Sequence, residues 1–207
     1  MDVRRFVLSQ LPAAPARVLE IGCGKGELSR ALLAEGYDVV AVDPQAPEGE
    51  IFRRASFEDH RPEGLFQAVV AVRSLHHLPD LGSALEKIRA SLAPGGVAIL
   101  EEFGWDRLDR DTATWLYAQR RVQAARGGPP APATIDALEA EWVKEHQDLH
   151  GFEAMRKALD LRFRERLFEW TPYLYRFFED RDLREAEREA IGQGAIRAIG
   201  FRYVGER

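Results

Sequence analysis

Apolar and polar positions alternate in blocks along the first hundred residues of this chain. Val18-Leu19-Glu20-Ile21, Tyr37-Asp38-Val39-Val40-Ala41-Val42-Asp43, Leu65 to Val72 and Val97 to Phe103 are short apolar runs rich in β-branched residues, the pattern of buried strands. A further short strand is expected around Ile51-Phe52-Arg53. Between them, Leu28-Ser29-Arg30-Ala31-Leu32-Leu33 and Ser83 to Leu92 carry apolar residues at helical spacing. Leu92-Ala93-Pro94-Gly95-Gly96 reads as a helix stop and a turn into the fifth strand. Residues 1 to 14 read as a short helix with Val3, Phe6, Val7 and Leu11 on one face, then a Pro-marked linker. Strands alternating with helices predict an α/β fold, a doubly wound and mainly parallel sheet with right-handed crossovers.

From Trp105 the pattern changes. Helices are expected over Asp111 to Ala125, over Thr134 to Leu149 with Thr134 as cap, and over Gly151 to Leu161. Gly127-Gly128-Pro129-Pro130-Ala131-Pro132 separates the first two as a loop. Residues 105 to 165 thus form a helical insertion within one domain spanning residues 1 to 207, and a lid where ligands of open sheets bind. A sixth strand is expected around Leu167 to Tyr175, a charged helix over Arg181 to Ile199, and a closing strand over Gly200 to Gly205.

The densest chemistry follows the first strand, in Glu20-Ile21-Gly22-Cys23-Gly24-Lys25-Gly26-Glu27. Glycines there let the backbone take unusual dihedrals and let a ligand approach the main chain. A dinucleotide fingerprint places its third glycine three residues after the second, where this chain has Glu27. Glu20 and Glu27 would also repel a pyrophosphate, so a ligand with cationic groups and no phosphate fits better. Asp43 ends the second strand about 20 positions further on, placed to accept hydrogen bonds from ribose hydroxyls. Cys23 reads as a small turn residue rather than a nucleophile.

Composition narrows the classes. The chain has 207 residues, enough for one α/β domain, and a net charge of −5 with interspersed signs. That balance disfavours broad nucleic-acid binding. No apolar run approaches the ~18 residues of a membrane span. The start Met1-Asp2-Val3-Arg4-Arg5-Phe6 is too poor in apolar residues for a secretory signal, and a single cysteine suits a reducing compartment, so a cytoplasmic location is expected.

The acidic residue followed by GxGxG resembles the first motif of the class I S-adenosylmethionine (SAM)-dependent methyltransferases. The resemblance covers roughly residues 15 to 104. Leu65-Phe66-Gln67-Ala68-Val69-Val70-Ala71-Val72-Arg73-Ser74-Leu75-His76-His77-Leu78 is similar to an "FD-V-SLHHL" run common among the small-molecule enzymes, with Gln67 where Asp is usual. The resemblance implies a seven-stranded Rossmann-like methyltransferase fold with an enlarged helical region after the fifth strand. It implies SAM as cofactor, held by Glu20, Gly22, Cys23, Gly24, Gly26, Asp43, Pro44, Ser56, Phe57, Glu58 and Arg73. Glu20 would orient the methionine ammonium, Asp43 the ribose, and Ser56, Phe57 and Glu58 the adenine, Ser56 standing where an Asp is usual.

The implied activity is methyl transfer to an O, N or C nucleophile of a small molecule, without a metal. His76 is the candidate general base and His77 a second. Glu101 and Glu102 leave the fifth strand on opposite faces, so one should reach the pocket. Trp105, Trp115, Trp142, Trp170, Tyr173, Tyr175, His146 and His150 are candidates to shape an acceptor pocket, and the helical second half offers a homodimer surface. His146 and His150 are a helical turn apart, but HQDLH lacks the Glu of HExxH. Three alternatives stay open. The chain could bind SAM or its product S-adenosylhomocysteine (SAH) without catalysis, as a sensor or partner subunit. It could be a nicotinamide-dependent oxidoreductase, which the glycine spacing disfavours. It could methylate nucleic acid or protein, which the acidic charge disfavours.

Overall fold

A computed structural model describes residues 1–178 and 182–207. The elements run α1 (Val3–Gln10), β1 (Arg17–Ile21), α2 (Glu27–Ala34), β2 (Asp38–Asp43), β3 (Phe52–Arg54), β4 (Phe66–Val72), α3 (Leu81–Ser91), β5 (Leu92–Phe103), α4 (Arg110–Ala125), α5 (Ile135–His146), α6 (Phe152–Asp160), β6 (Arg164–Thr171), α7 (Leu183–Gly192) and β7 (Gly200–Glu206). The strands form one seven-stranded sheet in the order β3-β2-β1-β4-β5-β7-β6, and the ladders from β3 to β5 are parallel. The order reverses direction at β1 and β4, which puts the ligand-binding crevice of such a sheet beyond their carboxyl ends. Among the described residues no helix is long and apolar enough to cross a membrane.

The chain divides into two compact units. The first comprises Met1–Glu102, Ala154–Glu169 and Arg202–Arg207. Its central strands are largely apolar because both faces are covered. On one face Val18, Val39, Ala68 and Val97 lie in one cross-strand row, and they pack with Phe6 and Val7 of α1, Leu32 of α2 and Val204 of β7. Helix starts follow local chemistry: Asp2 accepts from the Arg5 amide and Asp80 from the Ser83 amide. The Pro-Gly-Gly turn is absorbed into β5 as an irregularity of register. Phe66 faces Leu92 while Ala68 faces Val97, so the extra residues of β5 bulge out.

A buried cation ties this unit's last strands together. Arg202 of β7 is bonded through Nε to Glu101 of β5 at 2.8 Å, through Nη1 to Glu169 of β6 at 2.9 Å and through Nη2 to the Met1 carbonyl at 3.0 Å. Its guanidinium also covers the Phe6 ring at 4.5 Å. Glu101, a candidate for reaching the pocket, is therefore a structural ion-pair partner.

The second unit comprises Phe103–Glu153 and Trp170–Phe201. Asp109 caps α4 and Thr134 caps α5, the latter as the sequence predicts. Its core gathers Phe103, Leu116, Leu138, Trp142, Leu174 and Ile199. The aromatics expected around a pocket are largely spent on this packing. Phe103 stacks on Tyr173 at 4.3 Å, and Trp142 Nε1 donates to the Trp105 carbonyl at 2.8 Å. Buried Glu187 accepts the amides of Tyr173, Leu174 and Tyr175 at 2.7, 2.9 and 2.8 Å, while burial raises its pKa. Helix α7 is shorter than expected. It ends at Gly192, and Gly194 turns left-handed two residues later; the expected start at Arg181 lies outside the described residues.

Replacing Arg202 by Met removes the cation facing buried Glu101. Urea unfolding should show a loss of about 3–5 kcal/mol, and a loss below about 1 kcal/mol would contradict this role.

Candidate active site

The turn after β1 is fastened to the end of β2. The Gly22 amide donates to the Val42 carbonyl at 2.8 Å, and the Gly24 amide donates to Asp43 Oδ2 at 2.9 Å. Asp43 Oδ1 accepts from the Gln45 amide at 2.7 Å, which leaves lone pairs on both oxygens for a ligand. Gly22 has φ +73°, and a Cβ there would sit 2.4 Å from the Ser74 Cβ, so glycine lets the β1 and β4 exits touch. Gly26 does different work: it precedes α2 with φ +76° and clears the Phe52 ring.

Two cavities open here, both within the first unit. One, about 550 Å³, is lined by Glu20, Gly22, Cys23, Gly24, Lys25, Arg73 and neighbours from α1 and α2. The other, about 360 Å³, is lined by Gly22, Asp43, Pro44, Ser56, Phe57, Glu58, Arg73, Ser74, His77 and neighbouring residues. Gly22 and Arg73 line both. Of the residues expected to hold a cofactor, Gly26 lines neither, because its open face is turned to Phe52.

Glu20 is a carboxylate set into an apolar sheet. Register places it opposite Ala41 on one side and Val70 on the other. The residue is 3% exposed and accepts a hydrogen bond from the Ser29 hydroxyl. Burial pushes its carboxyl up to about 7. Burial likewise pushes the Cys23 thiol up to about 12, which fits a turn residue and not a nucleophile.

The wall of the second cavity is clamped from beneath. Lys87 Nζ of α3 donates to the carbonyls of Phe57, Glu58 and His60 at 2.5, 3.0 and 2.5 Å, and lies 4.7 Å from the Phe57 ring centre. Ser56 shares hydrogen bonds with Asp59, which turns the segment locally.

The exit of β4 is organised by Glu102. One of its oxygens accepts the amides of Ser74 and Leu75 at 2.8 and 2.6 Å, and the other meets His76 Nδ1 at 2.5 Å. His76, the candidate base, is thus buried against Glu102 and lines neither cavity. Its ring contacts that of His77 at 4.1 Å between centres, and His77 is the imidazole that faces the second cavity. Burial, and then the neighbouring His76, lower the His77 pKa. In the second unit, His146 Nδ1 donates to the Trp142 carbonyl at 2.7 Å, the bond of a packed helical residue. Ser29 and Lys87 were not among the sequence-predicted site residues, and Glu102, a candidate to reach the pocket, instead anchors the β4 exit loop. Ser29 had left a signal, a small hydroxyl on the apolar stripe of α2.

A family model described as a methyltransferase domain matches residues 2–146, well over half of the chain. The chain belongs to the SAM-dependent methyltransferase family. The ubiquinone biosynthesis O-methyltransferase of Xanthomonas axonopodis pv. citri (strain 306) is 32% identical over 110 residues, 46% of each chain. The chain therefore spans under half the length of the curated relatives it matches. The fold is similar to an S-adenosylmethionine dependent methyltransferase from Mesorhizobium loti, with TM-score 0.61, 16% identity, and 97% of this chain and 95% of that one covered. It is also similar to the N-methyltransferase NodS from Bradyrhizobium japonicum WM9 in complex with SAH, with TM-score 0.53, 14% identity, and 99% and 83% covered.

The raised pKa of Glu20 carries a sign. The folded protein holds this proton more tightly than the unfolded chain, so stability falls as pH rises from about 4.5 to 7. Glu20→Gln should therefore be more stable than the parent at pH 8, by about 3 kcal/mol at most, and no more stable at pH 4. Urea unfolding that shows one constant difference at both pH values would contradict the burial of this charge.

Proposed function

We propose that the chain transfers a methyl group from SAM to an O, N or C nucleophile of a small molecule. The observation that carries this reading is the pair of cavities joined at Gly22 and Arg73, with a buried carboxylate in one and a strand-end carboxylate in the other. SAM has an amino-acid end, with an ammonium and a carboxylate, and an adenosine end, and the two cavities suit each. Glu20 would take the ammonium, with Cys23 and Gly24 beside it. Asp43 would accept from the ribose hydroxyls, and Pro44, Ser56, Phe57 and Glu58 would surround the adenine. Gly22 and Arg73 would flank the link between the two ends, and Gly26 would shape the turn without touching the cofactor.

When bound, the cofactor supplies an already activated sulfonium methyl. The protein's part is to align the nucleophile with it and exclude water, effects worth up to ~7–11 kcal/mol together. His76 would act on the position of the β4 exit loop and not as a base. The O-methyltransferase relatives lend support to an oxygen nucleophile. The single domain over residues 1–207, with 105–165 as a helical insertion, is part of the same reading.

Isothermal titration should show SAH binding in the micromolar range and no response to NAD; the reverse would refute the reading. Asp43→Ala should weaken SAH binding at least about tenfold, since two charge-assisted hydrogen bonds and the anchor of Gly24 are lost; parent-like affinity would remove Asp43 from the site. SAH affinity should also fall roughly tenfold from pH 8 to pH 6, as Glu20 takes up a proton below about 7 and no longer attracts an ammonium. That slope should vanish in Glu20→Gln, and its persistence there would assign it to another group.

A further inference from the structure

The first unit holds a further, smaller cavity of about 90 Å³, and no residue that lines it lines either of the two described above. Two of its residues, Arg17 and Phe66, begin β1 and β4, so it sits at the end of those strands opposite the glycine turn. Its walls are basic. Arg17, Arg53, His60 and Arg61 line it, with Glu63 as the single acid. The space suits a small tetrahedral ion and is too small for a sugar or a base.

The cations around it rest on main-chain oxygens. Arg53 Nη1 donates to the Glu50 and Phe52 carbonyls at 2.6 and 3.0 Å. Arg61 Nη1 donates to the carbonyls of Glu58, Asp59 and His60 at 2.9, 3.1 and 3.3 Å. Among the described residues neither guanidinium forms an ion pair, and Nε and Nη2 of both make no hydrogen bond. Arg17 Nη1 donates to the Glu63 carbonyl, its Nε meets Asp38 at 3.3 Å, and its guanidinium lies 4.7 Å from the Phe66 ring centre. Lys87, behind the loop, meets carbonyls only, that of His60 among them. The acids of the neighbourhood do not neutralise this set. Asp38 is paired with Arg17, and Asp59 accepts from the Ser56 hydroxyl. The carboxylates of Glu50, Glu58 and Glu63 are exposed, and among the described residues they bond to none of these cations.

His60 supplies an independent sign. Its Nε2 is buried and has no hydrogen-bond partner. Burial, and then Lys87, Arg53 and Arg61, lower its pKa against the opposing pull of Glu63, so the imidazole is neutral at pH 7 in positive surroundings. A neutral imidazole presents one N–H, and an orphaned ring nitrogen in a polar cavity is a place for an incoming acceptor.

We propose that this cavity binds the phosphate group of a soluble ligand, either inorganic phosphate or a small phosphate monoester. The unused donors of Arg53 and Arg61 would hold its oxygens, Arg17 would complete the ring of charge, and His60 Nε2–H would donate to it. A water in the same place would leave the positive charge unanswered. The exposed acids at Glu50, Glu58, Asp59 and Glu63 disfavour an anionic membrane surface or a nucleic acid as the source of the phosphate. The site stands apart from the cofactor reading: the two share no residue, and this one is tested without SAM or SAH.

With five histidines in the chain, proton–carbon NMR of the full protein resolves the imidazole of His60, assigned by the signal lost in His60→Gln. Inorganic phosphate, added at constant ionic strength, should shift that signal with a Kd of about 1 mM or tighter, and chloride should not. Arg53→Gln and Arg61→Gln should each weaken phosphate about tenfold, the loss of one charge-assisted contact. Arg110→Gln removes the same charge from α4, where Asp136 and Glu139 pair it, and should leave the affinity within about twofold. Glycerol 1-phosphate binding at least as tightly as inorganic phosphate would assign the site to a monoester, and weaker binding would assign it to the free ion. An unmoved His60 signal, a shift matched by chloride, or an affinity that survives both arginine variants would overturn the proposal. So would an equal loss in Arg110→Gln, or binding only to vesicles that contain phosphatidic acid.

Discussion

One carboxylate holds a wall of the candidate site in place. Glu102 is fully buried at the end of β5, and there it meets two backbone amides and an imidazole from the loop that leaves β4. A buried carboxylate is costly unless hydrogen bonds replace its water, and three donors do so here. The loop gains as much as the carboxylate. Its amides at Ser74 and Leu75 lie beyond the end of the ladder and would otherwise be buried without a partner. Because this loop is fixed, Ser74 can close against Gly22, the β1 and β4 exits can meet, and Arg73 can be held left-handed over the junction of two cavities.

Around this anchor the protein sorts its carboxylates by environment. Glu101, one residue earlier on β5, faces the other way and is satisfied by Arg202. Glu20 is hydrogen-bonded to Ser29, and burial keeps its proton on until about pH 7. Glu187 caps three amides in the second unit. Glu101 and Glu187 each complete a fold; Glu20 is left to be completed by a cation from outside. A site that is underpartnered when empty is the expected signature of ligand binding, since function and stability draw on the same charge in opposite directions.

The strands were legible because β-branched runs buried on both faces leave little else to read, and the glycine turn because its spacing carries a steric requirement. That Asp43 ends β2 was legible from the β-branched run before it. Glu102 and His76 were not. A Glu-Glu pair at the end of an apolar strand looks the same whether it faces solvent or three donors from a loop 26 to 28 residues earlier. Adjacent histidines look interchangeable until the 3₁₀ turn over Leu75–His77 buries one and turns the other to a cavity. The aromatic residues of the second half suggested a pocket, but Phe103, Tyr173 and Trp142 pack on one another, a pairing visible only in three dimensions. The left-handed Arg73 had no signal at all, since nothing local favours it.

Amide hydrogen exchange at Ser74 and Leu75 tests the role of Glu102 most directly. In the parent both amides should exchange about a thousandfold more slowly than an unstructured loop. In Glu102→Ala both should exchange at loop-like rates while the amides of β1 keep their protection. Unchanged protection of Ser74 and Leu75 in that variant would show that the loop stands without the carboxylate, and the account of the site built on it would be wrong.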